Sequence, residues 1–171
     1  STAVGFKSQS KGEASNAIGT SSLAEGDFST AVGYGAHAKK DNALAAGQGA
    51  IASGKNATAV GLDSKSKEEA ATAIGNASLA EGYYSTAVGT EARAKKEYDL
   101  AAGHDTTASG GQSTAVGYRS NASGRASFAQ GSSALASGDA SISIGDLSKA
   151  TGNDSIAIGA KSMANLDNSV A

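Results

Sequence analysis

The stretch STAVGYRSNASGRA, residues 113–126, contains two short runs in which small and larger side chains alternate. Successive side chains of a β-strand point to opposite faces, so Ser113, Ala115 and Gly117 share one face and Thr114 and Val116 the other. In the second run Ser120, Ala122 and Gly124 share a face in the same way. Each run therefore reads as a short strand that turns a face of very small residues toward something close. The stretch is one unit of a repeat: Gly5, Gly19, Gly33, Gly47, Gly61, Gly75, Gly89, Gly103, Gly117, Gly131, Gly145 and Gly159 follow one another at fourteen residues, with no insertion. Twelve such coils fill 1–168, and Ser169, Val170 and Ala171 open a thirteenth. A fixed short period marks a solenoid, in which each unit packs only against its neighbours.

Position three of the coil is alanine in eleven coils and Ser143 in the other, position eight is only Ser, Ala or Thr, and position ten only Ala or Ser. Two strands facing each other across a narrow interior account for this, because only Gly, Ala and Ser fill so thin a space at native density. The expected fold is an all-β parallel roll, about 55–60 Å long at roughly 4.8 Å per coil, with each strand hydrogen-bonded to the coils above and below. Glycines at position five, and a second rank at position twelve (Gly12, Gly26, Gly54, Gly82, Gly110, Gly124, Gly138, Gly152), mark two corners, where glycine permits positive φ and close backbone approach. Lys40, Glu68, Lys96 and Leu166 replace the second glycine in the other four coils, and a different turn or a wider loop is expected there. Residues 1–56 and 57–112 match coil for coil, a duplicated four-coil block within a single repeat domain over 1–171. The chain reads as a segment of a longer protein.

Composition excludes several classes. Apolar residues make up 39% of the chain but are mostly alanine, with three Phe, five Tyr and no Trp, so a core of large side chains is not available. A net charge of −2 with both signs interspersed gives no basic footprint for nucleic acid and no cationic helix for a membrane surface. No apolar run is long enough to span a bilayer, so direct membrane insertion of this segment is not expected. With no cysteine, stability has to come from packing and assembly. The absence of proline suits strands that each need their N–H groups.

The outward positions of the first strand carry its larger residues. Position four reads Val4, Ile18, Val32, Ala46, Val60, Ile74, Val88, Ala102, Val116, Gln130, Ile144 and Ile158, and position two adds Thr, Asn16, Leu, Phe128, Ile142 and Ile156. An apolar stripe should therefore run the length of the rod. Such strips mark interfaces, and one parallel to the rod axis suits closed cyclic assembly about that axis, so a parallel homo-oligomer is expected.

SIAIGAKSMA (155–164), STAVGYRSNA (113–122) and STAVGYGAHA (29–38) resemble the SVAIGxxSxAxG motif of YadA-like heads of trimeric autotransporter adhesins, and the resemblance extends over all twelve coils. It implies a left-handed parallel β-roll and a homotrimer with positions two and four facing the threefold centre. That places Val4, Ile18, Val32, Val60, Ile74, Val88, Val116, Gln130, Ile144 and Ile158 at the trimer interface. It further implies a Gram-negative cell-surface location and attachment to host extracellular matrix, host cells or sister cells. Position two is often Thr where the motif favours Val, and coil ten carries Phe128 with Gln130; Gln130 pairs with its copies around the axis or faces a wet gap.

Position eleven alternates charge along the stack, Lys11, Glu25, Lys39, Ser53, Lys67, Glu81, Lys95, Ser109, which reads as a solvated face. Tyr34, Tyr83, Tyr84, Tyr98 and Tyr118 fall at corners or outer positions, as contact residues or as corner covers. No catalytic, cofactor or metal site emerges. His37 and His104 occupy different ranks with no second ligand at metal spacing. Gly47-Gln48-Gly49-Ala50-Ile51-Ala52 fits GxGxxA without the strand and helix that motif needs. Hexapeptide acyltransferases keep a period of six, of which fourteen is not a multiple. An ice-binding face would use the threonine rank Thr2, Thr30, Thr58, Thr72, Thr86, Thr114, but its neighbours at position four are Val or Ile. A passive spacer displaying other domains is the other alternative to an adhesin.

Overall fold

The computed structural model describes residues 1–171, wound into coils of two short strands each, with no helix. In the first coil these are β1 (Thr2–Val4) and β2 (Gln9–Ser10), and in the twelfth β23 (Ile156–Ile158) and β24 (Met163–Ala164). The first strands of all coils form one 12-stranded parallel sheet and the second strands another. The register is one coil throughout, with Ala3 opposite Ala17 and Val4 opposite Ile18. Ile156 bridges Val170, so the opening of the thirteenth coil continues the ladder.

Positions one and three of the first strand face positions eight and ten of the second. Ala17, Ala31, Ala45 and Ala59 on one side, and Ala24, Ala38 and Ala52 on the other, are fully buried. The largest fully buried side chains are Thr106 and Asp99. Side chains this small bury little apolar surface each, and the main chain supplies the cohesion that large residues supply elsewhere, through 123 backbone hydrogen bonds. Most core serines bond locally: Ser15 Oγ donates to the Gly12 carbonyl at 2.8 Å and Ser78 Oγ to Gly75 at 3.0 Å, whereas the hydroxyls of Ser66, Ser127 and Ser141 are buried without a partner.

Both corners are four-residue turns, closed by Ser8 N–H donating to Gly5 (3.2 Å) and Ser15 N–H to Gly12 (3.4 Å). Their third residue, at positions seven and fourteen, is left-handed in every coil, as in Lys7 (φ 56) and Ala14 (φ 49). None of these residues is Val, Ile or Thr, the types for which a positive φ is most strained.

The two glycine ranks serve different needs. Gly75 has a φ of +129, and a Cβ there would sit 2.5 Å from the Gly89 carbonyl oxygen, so both conformation and space require glycine. Gly138 lies outside the positive-φ region, and only the overlap of a Cβ with the Gly152 carbonyl requires it. The expectation of positive φ therefore holds for position five and not for position twelve. Nor do Lys40, Glu68, Lys96 and Leu166 open a wider loop. Ala43 N–H donates to Lys40 at 3.1 Å and Ser169 to Leu166 at 3.2 Å, the same turn as at the glycines, with the replacing residues exposed to solvent.

Candidate functional site

Alternation that buries position three turns positions two and four outward. Along position four, Val4, Ile18, Val32, Ile74, Val88, Gln130 and Ile158 are exposed, and Val60, Val116 and Ile144 are half-buried. They stack in register, Ile74 against Val60 and Val88, Gln130 between Val116 and Ile144. Leu44, Leu100, Phe128, Ile142 and Ile156 widen the strip at position two. The result is a continuous, mostly β-branched surface along one sheet, left wet in the single chain. No pocket opens elsewhere on the roll, so surfaces are what it offers a partner.

The second sheet presents a charged face. Lys11 pairs with Glu25 at 3.1 Å and Lys67 with Glu81, one coil apart, while Lys39 and Lys95 make no such pair. Glu25 gives its other oxygen to His37 Nε2 at 2.7 Å. Those hydrogen bonds, from His37 first and Lys11 second, hold the Glu25 carboxyl below its ordinary value of 4.5. The pairs are solvent-exposed and contribute a few tenths of a kcal/mol each. His104 stacks flat on Tyr118 with ring centroids 5.4 Å apart, remote in rank from His37. No cluster of His, Cys, Asp and Glu could hold a metal ion.

A family model described as the YadA head domain repeat matches residues 10–36, 38–64, 68–92, 94–120, 122–148 and 150–171. The chain belongs to the YadA head family. Among solved structures, the collagen-binding domain of the Yersinia adhesin YadA is similar at a TM-score of 0.54 and 30% identity, over 86% of this chain and 66% of that one. The chain thus spans about two thirds of that domain's length. A search of curated proteins gives no match.

Two places depart from the regular YadA head repeat; sequence reasoning passed over the first and, for the second, offered its tyrosines as contact residues or corner covers without bringing them together. Asp99 occupies position one, where every other coil has Ser or Ala, and is fully buried. Its carboxylate accepts from Lys96 N (2.8 Å), Gly111 N (3.0 Å), Ser113 N (3.0 Å) and Ser113 Oγ (2.8 Å). Four donors offset the cost of burying the charge. Ser113 N–H thereby leaves the corner turn that Gly110 would close, and this is the corner that differs from the rest. The available signal was a single charged residue within four inward ranks of Ala, Ser and Thr.

The second departure is aromatic. Tyr83 and Tyr84 end coil six and Tyr98 ends coil seven, and their rings gather on one corner. Tyr83 meets Tyr84 edge-on at 4.4 Å and Tyr98 at 6.4 Å, and Tyr84 stacks on Tyr98 at 5.9 Å. They remain 40%, 49% and 52% exposed. Tyr84 and Tyr98 hold φ values of 53 and 56, which costs a bulky residue about 1 kcal/mol each. The neighbouring Tyr84 hydroxyl, and then desolvation, push the Tyr83 phenol above its ordinary value. In the first copy of the duplicated block the same places hold Asp27, Phe28 and Asn42. There Glu13 N donates to Asp27 Oδ1 at 2.8 Å and Asp27 N to Asp41 Oδ1 at 3.1 Å, a carboxylate ladder that Tyr83 cannot continue.

Proposed function

We propose that the chain is part of the head of a trimeric autotransporter adhesin, three copies of a left-handed roll packed along the stripe of positions two and four, displayed on a Gram-negative outer membrane. The observation that carries this reading is the wet apolar strip, continuous in register over the length of the sheet. A monomer keeps a surface of that extent exposed only at the cost of solubility, and a threefold axis along the rod covers it in all copies at once. Membership of the YadA head family supports the same arrangement and gives the role of an adhesin, not an enzyme. The collagen-binding activity named for the similar Yersinia domain makes extracellular matrix, collagen foremost, the ligand class to test. Repeated ranks on three faces present many weak sites together, and avidity multiplies their effect. Host cells and sister cells are further surfaces of the same kind.

Sedimentation equilibrium tests the assembly, with a stable trimer expected. Ile74→Asp with Val88→Asp should yield monomers, because unpaired charges in a closed seam cost several kcal/mol. A double variant that stays trimeric would put the stripe on the outside. Binding of the trimer to immobilised collagen and to cells tests the ligand class, and a trimer that binds none of these is a spacer.

A further inference from the structure

We propose that Tyr83, Tyr84 and Tyr98 form a stacking platform for a neutral glycan, a ligand class distinct from matrix protein. Two unfavourable features coincide at this corner. The carboxylate ladder present in the first block is lost, and three aromatic rings stay wet on the backbone that every coil shares. The duplication supplies an internal control, since the same backbone in the first copy carries Asp27, Phe28 and Asn42 and has no ring cluster. Exposed aromatic surface concentrated at one place points to a contact site.

The chemistry of the patch selects the ligand. A pyranose has one face of C–H groups, which lies on an aromatic ring, and a rim of hydroxyls, which needs hydrogen-bonding groups around that ring. The corner has both: flat phenol faces with their own hydroxyls, and beside them Glu69, Lys96 and Glu97, none of which is engaged in an ion pair. The flanking charges are of both signs, so the patch does not select an anionic sugar. The rings of two neighbouring coils span about 10 Å, the scale of one or two sugar rings. A folded protein partner needs some 800 Å² on this side, far more than a convex corner of three rings. Tyr84 and Tyr98 stack too closely, at 5.9 Å, to admit a quaternary ammonium between them.

This inference rests on the adhesin reading but requires neither the trimer nor a matrix ligand. The test is an array of neutral oligosaccharides built from glucose, galactose and N-acetylhexosamines, with sialylated and sulfated glycans and immobilised collagen in the same assay. Wild type is compared with Tyr83→Asp/Tyr84→Ala/Tyr98→Asn, residues that Asp27, Ala70 and Asn42 show the same corner to accept. The expected result is binding of one or more neutral glycans by wild type, weakened at least tenfold in the variant with collagen binding unchanged. Absence of any neutral glycan binding, equal binding by the variant, or tyrosine-dependent binding confined to acidic glycans or to protein would overturn the proposal. Wild type that holds neutral glycans through the tyrosines and binds no matrix or cell surface would remove the matrix reading and leave the platform standing.

Discussion

A methyl group at Gly75 measures how tightly the coils are stacked. The added Cβ would lie 2.5 Å from Gly89 O and 2.6 Å from Gly89 C, where ordinary contact begins at 3.4 Å, so the coils have to part by about 0.9 Å. Gly89 N–H donates to the Ile74 carbonyl at 2.7 Å at the same corner. Parting by that amount stretches the bond to about 3.6 Å, past hydrogen-bonding range, at a net loss of about 1 kcal/mol. Alanine held at a φ of +129 adds about 1–3 kcal/mol of backbone strain, and local overpacking costs about as much again. Gly75→Ala should therefore destabilise by about 4 kcal/mol. Two controls separate the parts. Gly159→Ala keeps the φ, at +122, with nothing within 4 Å, and should cost about 2 kcal/mol. Gly35→Ala enters open space at φ +64, a conformation Ala14 and Ala77 already hold, and should stay within about 1 kcal/mol of wild type. Urea unfolding followed by far-ultraviolet circular dichroism, at one fixed protein concentration, reads all three. A Gly75→Ala protein as stable as Gly35→Ala would refute the close stacking on which the roll depends.

Asp99→Ala leaves the Gly111 and Ser113 N–H groups without their acceptor; a loss of about 2 kcal/mol is expected, with amide exchange at those two residues accelerated selectively. Ser127 and Ser141 bury hydroxyls that find no partner, whereas Ser29 Oγ donates to Gly26 at 2.6 Å. Ser127→Ala and Ser141→Ala should each raise the urea midpoint, Ser29→Ala should lower it, and each change is worth about 1 kcal/mol. The Glu25 carboxyl is held low by His37 and then Lys11, so its contribution to stability is present above the ordinary carboxylate pKa of 4.5 and is lost as pH falls through its lowered folded value. His37→Ala should move the Glu25 titration, followed by carboxyl-carbon NMR, upward toward 4.5, with a stability change of only a few tenths of a kcal/mol because the pair is exposed.

The roll was legible in the sequence because each inward rank accepts only the smallest residues, so Ala17, Ala24 and their equivalents declare the interior without help from any tertiary contact. The apolar stripe was legible for the complementary reason, as Val and Ile recur at one outward position. The left-handed residues at positions seven and fourteen were not. Their rule is the exclusion of β-branched side chains from places where Lys, Asn, Tyr and Ala all occur, and an exclusion makes no visible pattern in a single coil. Asp99 was missed because its partners come from three successive coils, Lys96 from the one before, Gly111 from its own and Ser113 from the next. The tyrosine cluster was hidden in part by distance along the chain, since Tyr84 and Tyr98 are fourteen residues apart and become neighbours only when the coils stack.

The duplication separates what holds the roll together from what the roll carries. Deleting residues 57–112 would set coil four against coil nine, and every rank at the new junction matches. Ala45 would face Ala115, Gly47 would face Gly117 and Gly54 would face Gly124, the same pairs of residue types that meet at other steps of the stack. Because stability in a solenoid is a sum over units and their nearest-neighbour contacts, the eight remaining coils should fold, with a urea m-value lower by roughly a third in proportion to the surface removed. Asp99, its corner and all three clustered tyrosines leave with the block, while Asp27, Phe28 and Asn42 remain. A shortened protein that folds and keeps matrix binding but loses glycan binding would locate the platform in the second copy. One that fails to fold would show that Asp99 and its donors lock the stack, against the additive picture that the uniform register of both sheets supports.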